Sequence, residues 1–229
     1  EVFWAPTGAT GLFDPRVVFD PYNNRWLLAA VSNAATVASS ILVGISNTSD
    51  PAGTYTLFTF DADPGPTDAN DEWADYPMIG FNTDKVAISV NMFNFAGTMF
   101  TEGRLLVLDY PLLRGMVPVA SASYFHSGAA VPSGISLANG GFCMHPVFTY
   151  SSTELTLYFV SHMSSAGAMY RLTRLTGTQP GGLTLTIGAS TIRPGGGWVT
   201  LSNNLLPQAP EPPGGIGGTA ELEAQDAQI

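Results

Sequence analysis

Three polar residues open three similar stretches of the chain, and their side chains are of the kinds that bind metals and polar ligands. Asp14 and His145 each stand directly before a proline, and Asp75 stands two residues before one. If each stretch begins the innermost strand of a sheet in a radial array, the two carboxylates and the imidazole converge near the axis. Such a set suits a divalent cation or a polar ligand. The alternative is that each side chain caps a local turn, as Asp before Pro commonly does.

A second candidate site is the acidic run DADPGPTDANDEWAD at 61–75. Asp61, Asp63, Asp68 and Glu72 fall at positions 1, 3, 8 and 12 of a calcium-loop count. Gly65 lies one place too early for that loop, and strand-like runs flank it where an EF-hand requires helices. The run therefore predicts either Ca²⁺ binding in another geometry or a solvated acidic surface loop.

Trp73, inside the acidic run, is a candidate for stacking on a sugar or anchoring a partner. Cys143 is the single cysteine, and its apolar neighbours favour a buried, unreactive thiol. The sequence contains no Gly-x-Ser-x-Gly, His-Glu-x-x-His or Gly-Lys-Ser/Thr motif. The common hydrolase and nucleotide-binding signatures are thus absent.

These residues are set among short apolar runs separated by turn-forming residues. The stretch 13–62 holds four such runs, at 17–19, 26–31, 41–45 and 55–60. Runs of this length between Asn, Asp, Pro and Gly predict antiparallel strands. The pattern recurs at 75–143 and at 144–202, each time opening on a polar residue and a proline. A repeat of four strands predicts an all-β fold, a β-propeller with four-stranded blades.

The rest of the chain divides around these three predicted blades. Residues 1–12 form an incoming edge segment, 63–74 the acidic loop, 203–218 a Pro/Gly linker and 219–229 the start of a further strand or a tail. Propellers have about four to eight blades, and three are visible here. We therefore expect a fragment of a longer propeller, or a half-ring that another copy or another protein completes, because open blade faces need covering.

The charge balance limits the partners. Asp and Glu number 18 against 8 Lys and Arg, which disfavours nucleic acid, since phosphate binding needs clustered positive charge. No stretch offers 18 consecutive apolar residues, so no transmembrane segment is predicted. An acidic, lysine-poor surface rich in Ser, Thr, Asn and Gly is common in extracytoplasmic proteins, whether periplasmic, secreted or on the cell surface.

The segments FDPRVVFDPYNNRW, ILVGISNTSDPAGTY, ADYPMIGFNTDKVAISVNMF and GRLLVLDYPLLRG resemble a family of large secreted bacterial proteins with propeller-type repeats and no established activity. The resemblance covers roughly residues 3–229 and implies further blades beyond the linker.

The openings of the blades are also similar to five-bladed furanosidase-type glycoside hydrolases. That resemblance implies a base at Asp14 and a pKa-modulating carboxylate at Asp75. The acid expected at the third blade is replaced by His145, and glycoside hydrolysis normally needs two carboxylates.

We therefore expect a noncatalytic extracytoplasmic binding or assembly module. In one form it is an extrinsic subunit of a larger membrane-associated complex. A protein partner or a second copy completes the ring, and polysaccharide is a further candidate ligand. The alternative is a glycan-active hydrolase or carbohydrate-binding propeller that uses Asp14 and Asp75.

Overall fold

A computed structural model describes residues 2–64, 72–115, 122–125, 141–162, 169–179 and 182–192. The predicted site residue Asp68 and the predicted segments 203–218 and 219–229 lie outside the described residues.

Three four-stranded antiparallel sheets follow one another along the chain, each with its first strand at one edge. Blade 1 consists of β1 (Leu12–Asp20), β2 (Arg25–Ser32), β3 (Ser40–Ser46) and β4 (Tyr55–Asp61). Blade 2 consists of β5 (Glu72–Phe81), β6 (Lys85–Asn94), β7 (Phe100–Asp109) and β8 (Ala122–Phe125). Blade 3 consists of β9 (His145–Pro146), β10 (Leu157–His162), β11 (Met169–Thr178) and β12 (Gly182–Ile192).

Two short helices accompany the sheets in the part of the chain that the structure describes. A 3-10 helix spans Val2–Thr7, and α1 (Tyr110–Arg114) follows β7. The Asp109 carboxylate caps the start of α1 by accepting the Leu112 N–H at 2.8 Å. Among the described residues, neither helix is long and apolar enough to cross a membrane.

Blade 2 is sandwiched between its neighbours, which explains why β6 is buried on both faces. Successive side chains of a strand point to opposite faces of its sheet. Val86, Ile88 and Val90 pack in the cluster shared with blade 1. Ala87, between them, packs in the cluster shared with blade 3. The apolar run of β6 is continuous because both faces of the strand are packed against neighbouring blades.

The edge strands β1, β5 and β9 lie nearest the axis. The strand β5 contacts both β1 and β9. The ring centres of Tyr22, after β1, and Tyr150, after β9, lie 6.2 Å apart. Blades 1 and 3 therefore come into contact beyond the inner edge of blade 2. Four-stranded sheets packed face to face around a common inner edge are blades of a β-propeller. The predicted all-β propeller fold is confirmed for these three blades.

The first helix has a role that the sequence did not indicate. We define the far face of blade 1 as the side turned away from blade 2. Trp4, 7% exposed, packs there in a cluster with Ala30 and Leu42. The segment predicted as an incoming edge is therefore a cap.

The strand β5 begins earlier than its apolar run suggests. It starts at Glu72, where Glu72 pairs with Asn94 and Trp73 with Phe93. The end of the predicted acidic loop is consequently part of the blade 2 sheet, because those residues continue the ladder with β6.

Candidate functional site

A β-bulge shapes the inner strand of blades 1 and 2. The register of β1 shifts between Phe13 and Arg16, and that of β5 shifts between Asp75 and Met78. The residue before proline has a positive φ in both, 49° at Asp14 and 52° at Tyr76. Such a φ strains a residue other than Gly, and bulges of this kind re-aim side chains.

The bulges show that Asp14 and Asp75 are not equivalent positions. Phe13 opposes Val31, and Asp75 opposes Asn91, immediately before the shift in each strand. The counterpart of Asp14 is therefore Tyr76, and that of Asp75 is Phe13. The sequence alignment of the two blade openings was wrong by one residue.

Arg16 joins blade 1 to the opening of blade 2. Its Nε donates a hydrogen bond to the Pro77 carbonyl at 3.0 Å. Its guanidinium carbon lies 4.5 Å from the centre of the Tyr76 ring, a cation-π contact.

His145 lies within the electrostatic reach of Arg16. Burial lowers the pKa of the imidazole, and the positive charge of Arg16 lowers this pKa further. The neutral imidazole has one acceptor nitrogen and one donor nitrogen for a ligand or neighbour.

Asp75 lies on the side of β5 that faces blade 3. Its carboxylate accepts the N–H of Tyr76 at 2.9 Å, as a turn-capping Asp would. Opposite it, the Asn91 side-chain oxygen accepts the Cys143 N–H at 2.9 Å. Cys143 itself is half-buried with a φ of 49°. Its thiol accepts a hydrogen bond from the Asn91 amide at 3.5 Å.

We call the inner-strand openings the polar mouth, defined by Asp14, Arg16, Asp75, Tyr76 and His145. It combines two carboxylates, a guanidinium, a phenol and a neutral imidazole. These groups donate and accept hydrogen bonds and suit a polar ligand better than an apolar one. Among the described residues, no group of three or more His, Cys, Asp or Glu side chains is arranged to hold a metal ion.

Two acidic residues of the predicted calcium site, Asp63 and Glu72, form ion pairs with Arg104. Arg104 is almost fully buried in β7. Its Nη1 lies 2.5 Å from the Asp63 carboxylate, and its Nη2 lies 3.2 Å from Glu72 and 2.9 Å from Glu102. Asp61 caps a turn by accepting the Asp63 N–H at 3.0 Å. A fixed guanidinium therefore holds the position that a cation between Asp63 and Glu72 would take.

Trp73 is packed among aromatic side chains. Its ring centre lies 5.9 Å from that of Phe13 and 5.8 Å from that of Phe93. Its indole N–H donates to the Asn94 carbonyl at 3.0 Å. The ring thus joins blades 1 and 2, and its polar atom is already engaged.

Sequence reasoning missed Arg16, Tyr76, Glu102 and Arg104. Glu102 and Arg104 could have been found from the alternation of side chains along β7, because residues two apart on a strand share a face. Arg16 stands two residues after Asp14, but the bulge between them removes that simple rule.

No family model and no curated protein matches this chain. Among solved structures, an alpha-L-arabinanase of Penicillium chrysogenum, determined in complex with arabinobiose, is similar with 12% sequence identity and a TM-score of 0.41. The similarity covers 76% of this chain and 44% of the arabinanase, so the chain spans less than half the length of that protein. The propeller assignment rests on the order and packing of the three sheets.

Proposed function

We propose that this chain is a noncatalytic extracytoplasmic propeller module that works by binding and assembly. A second copy of the chain, or another protein, packs on the exposed side of blade 3 and continues the ring. In the second case the chain is an extrinsic subunit of a larger complex. The observation that carries the proposal is the contrast between the two outward-turned blade faces.

The far face of blade 1 is largely covered by its own chain. Trp4 packs over β2 and β3, and Phe3 contacts both Trp4 and Tyr55 with ring centres 5.0 and 5.1 Å apart. The inner strand stays open on this face, where Val17 is 63% exposed.

The far face of blade 3 is its side turned away from blade 2, defined by Tyr158, Val160, Leu172 and Arg174. Val160 pairs with Leu172, and Tyr158 with Arg174, on the side opposite the buried Leu157 and Phe159. Leu172 is 45% exposed in the middle of a sheet. Exposed apolar residues in a sheet face commonly mark an interface.

Charge favours an acidic partner surface for this face. Residues 144–192 contain one acidic side chain, Glu154, and two basic ones, Arg171 and Arg174. The chain as a whole has a formal net charge of −10. The charge of blade 3 is therefore complementary to the negative charge of the rest of a second copy, and such electrostatic complementarity promotes association.

The test is a Leu172→Asp variant studied by light scattering after size-exclusion chromatography. We expect the wild-type chain to associate and the variant to be a folded monomer whose melting temperature no longer depends on protein concentration. Val37→Asp, at an exposed apolar residue in the β2–β3 loop, is the matched control and should associate as the wild type does. Equal association of all three proteins would overturn the assignment of this face.

The polar mouth is the second part of the proposal, and we assign to it the binding of a small polar ligand. Arg16, Tyr76 and His145 converge there from three blades, which favours a ligand site over three separate turn caps. Asp14 keeps the strained φ that often accompanies functional positions.

A further inference from the structure

The end of the axis opposite the polar mouth presents exposed aromatic rings. Tyr22 follows β1, and Phe148 and Tyr150 follow β9, so all three lie beyond the other ends of the inner strands. They are 60%, 41% and 48% exposed. We call these three residues the aromatic mouth. Three exposed rings from two blades form one group, whereas single exposed apolar residues are ordinary.

The rings of the aromatic mouth are held from beneath. The Phe81 ring centre lies 5.6 Å from that of Phe148 and 6.1 Å from that of Tyr150. The Thr149 N–H between them donates to the Phe81 carbonyl at 2.9 Å. On the blade 1 side, the Tyr22 N–H donates to the Asp20 carboxylate at 2.9 Å. Their backbone is therefore fixed before any ligand arrives, which lowers the entropic cost of binding.

The surroundings of the rings are polar, and the two arginines beside Tyr22 are engaged within the chain, Arg25 with the Asn23 and Asn24 carbonyls and Arg114 with the Asn23 side-chain oxygen. The Thr83 hydroxyl donates to the Ser151 carbonyl at 3.0 Å beside Tyr150. Asn23 follows Tyr22, and its amide donates to Asp20 at 2.5 Å. The buried carboxylate of Asp20 is also held by the Tyr110 hydroxyl at 2.6 Å. Hydroxyls and amides thus border the aromatic faces.

We infer that the aromatic mouth binds a neutral polysaccharide by stacking sugar rings on Tyr22 and Tyr150. A sugar ring offers an apolar C–H face to an aromatic ring and hydroxyl groups to neighbouring amides and hydroxyls. Tyr combines an apolar face with a polar tip, which suits such a ligand. The formal net charge of −10 disfavours acidic polymers, so the glycan is neutral. This surface is separate from the far face of blade 3, and the two proposals can fail independently.

The experiment is native affinity electrophoresis of the full chain in gels containing a soluble neutral glycan. The probes are a mixed-linkage β-glucan, an arabinoxylan and a galactomannan, with polygalacturonate as the acidic comparison. We expect at least one neutral glycan to retard the chain and polygalacturonate to have no effect. Removing one ring should weaken binding roughly tenfold, the effect of one aromatic contact.

The variants separate the rings from the rest of the surface. The double variant Tyr22→Ala/Tyr150→Ala should migrate without retardation, and Tyr22→Phe/Tyr150→Phe should keep most of it. Phe142→Ala, which removes an exposed aromatic ring near the polar mouth, should behave as the wild type does. Circular dichroism melts establish that each variant is folded.

Three outcomes overturn the inference. The first is migration unaffected by all three neutral glycans. The second is undiminished retardation of the folded double Ala variant. The third is a loss of self-association in that variant without any glycan effect, which would assign the aromatic mouth to a protein partner.

Discussion

At the residue scale, the most consequential group is the ion cluster around Arg104. One guanidinium lies among three carboxylates, those of Asp63, Glu72 and Glu102, so the described cluster has an excess of negative charge. Arg104 also donates to the Ala62 carbonyl at 2.6 Å. The cluster thus attaches the segment after β4 to the middle of blade 2.

We expect Arg104→Gln to lower the free energy of unfolding by about 3–5 kcal/mol, because it leaves buried carboxylates uncompensated. Urea denaturation at neutral pH measures this value. Arg174→Gln, at an exposed arginine of the association face, is the control and should change stability by less than about 0.5 kcal/mol when all proteins are measured as monomers. A loss below about 1 kcal/mol in the Arg104 variant would contradict a stabilising role for the cluster.

His145 gives the chain a pH-dependent term in stability. Burial and Arg16 lower its pKa in the folded protein below the ordinary value of 6.5. As the pH falls through 6.5, His145 becomes protonated in the unfolded chain while it stays neutral in the folded protein. Stability is therefore fully present above that pH and decreases below it.

We expect His145→Gln to reduce the loss of stability between neutral pH and about pH 5, because the variant has no imidazole at this position to titrate. Thermal melts of both proteins across this range provide the comparison. Parallel pH profiles for the two proteins would show that the pKa of His145 is not lowered by folding.

At the element scale, the helix Val2–Thr7 replaces part of a neighbouring blade. Gly44 allows the close approach of Trp4, since a Cβ at this position would lie 3.4 Å from the indole and 3.2 Å from Leu57. The Thr7 hydroxyl donates to the Trp4 carbonyl at 2.6 Å and closes the turn. The cap is therefore a fitted part of blade 1.

Trp4→Ala should cost about 3–5 kcal/mol of stability, as is usual when a large buried aromatic side chain is removed. Chemical denaturation provides the value, and Val2→Ala, in the same helix but fully exposed, should have little effect. If both variants unfold at the wild-type denaturant concentration, the helix does not cap blade 1.

The sequence was informative about the strands because each apolar run sits in a packed sheet. The long apolar run of β6 was recognisable without knowledge of its neighbours. The bulges at Asp14 and Tyr76 were not recognisable from the sequence, because they depend on how each strand pairs with the next. The alignment of Asp14 with Asp75 was misplaced for this reason.

The candidate site was only partly predictable. Asp14, Asp75 and His145 were correctly placed on or next to the inner strands, because a polar residue and a proline open each blade. The pairing of Arg104 with Asp63 and Glu72 joins residues about 30 to 40 positions apart. Such contacts follow from the packing of whole sheets and have no local pattern.

At the scale of the whole molecule, blades 1, 2 and 3 form a continuous stack with unequal ends. The Lys85 ammonium is almost fully buried, contacts Asp84 at 2.8 Å and donates to the Leu155 carbonyl at 2.9 Å. Pro146 packs so closely on Gly80 that an added Cβ would lie 2.5 Å from it. Blades 2 and 3 are thus firmly joined, and the surface open to association is the far face of blade 3.

The most direct test of assembly is the mass of the native particle by sedimentation equilibrium over a wide range of concentration. The chain has a mass of 24.1 kDa, and we predict a particle of two copies at the higher concentrations. The Leu172→Asp variant should sediment as one copy throughout. A wild-type chain that remains a monodisperse monomer at every concentration would contradict self-assembly through the far face of blade 3.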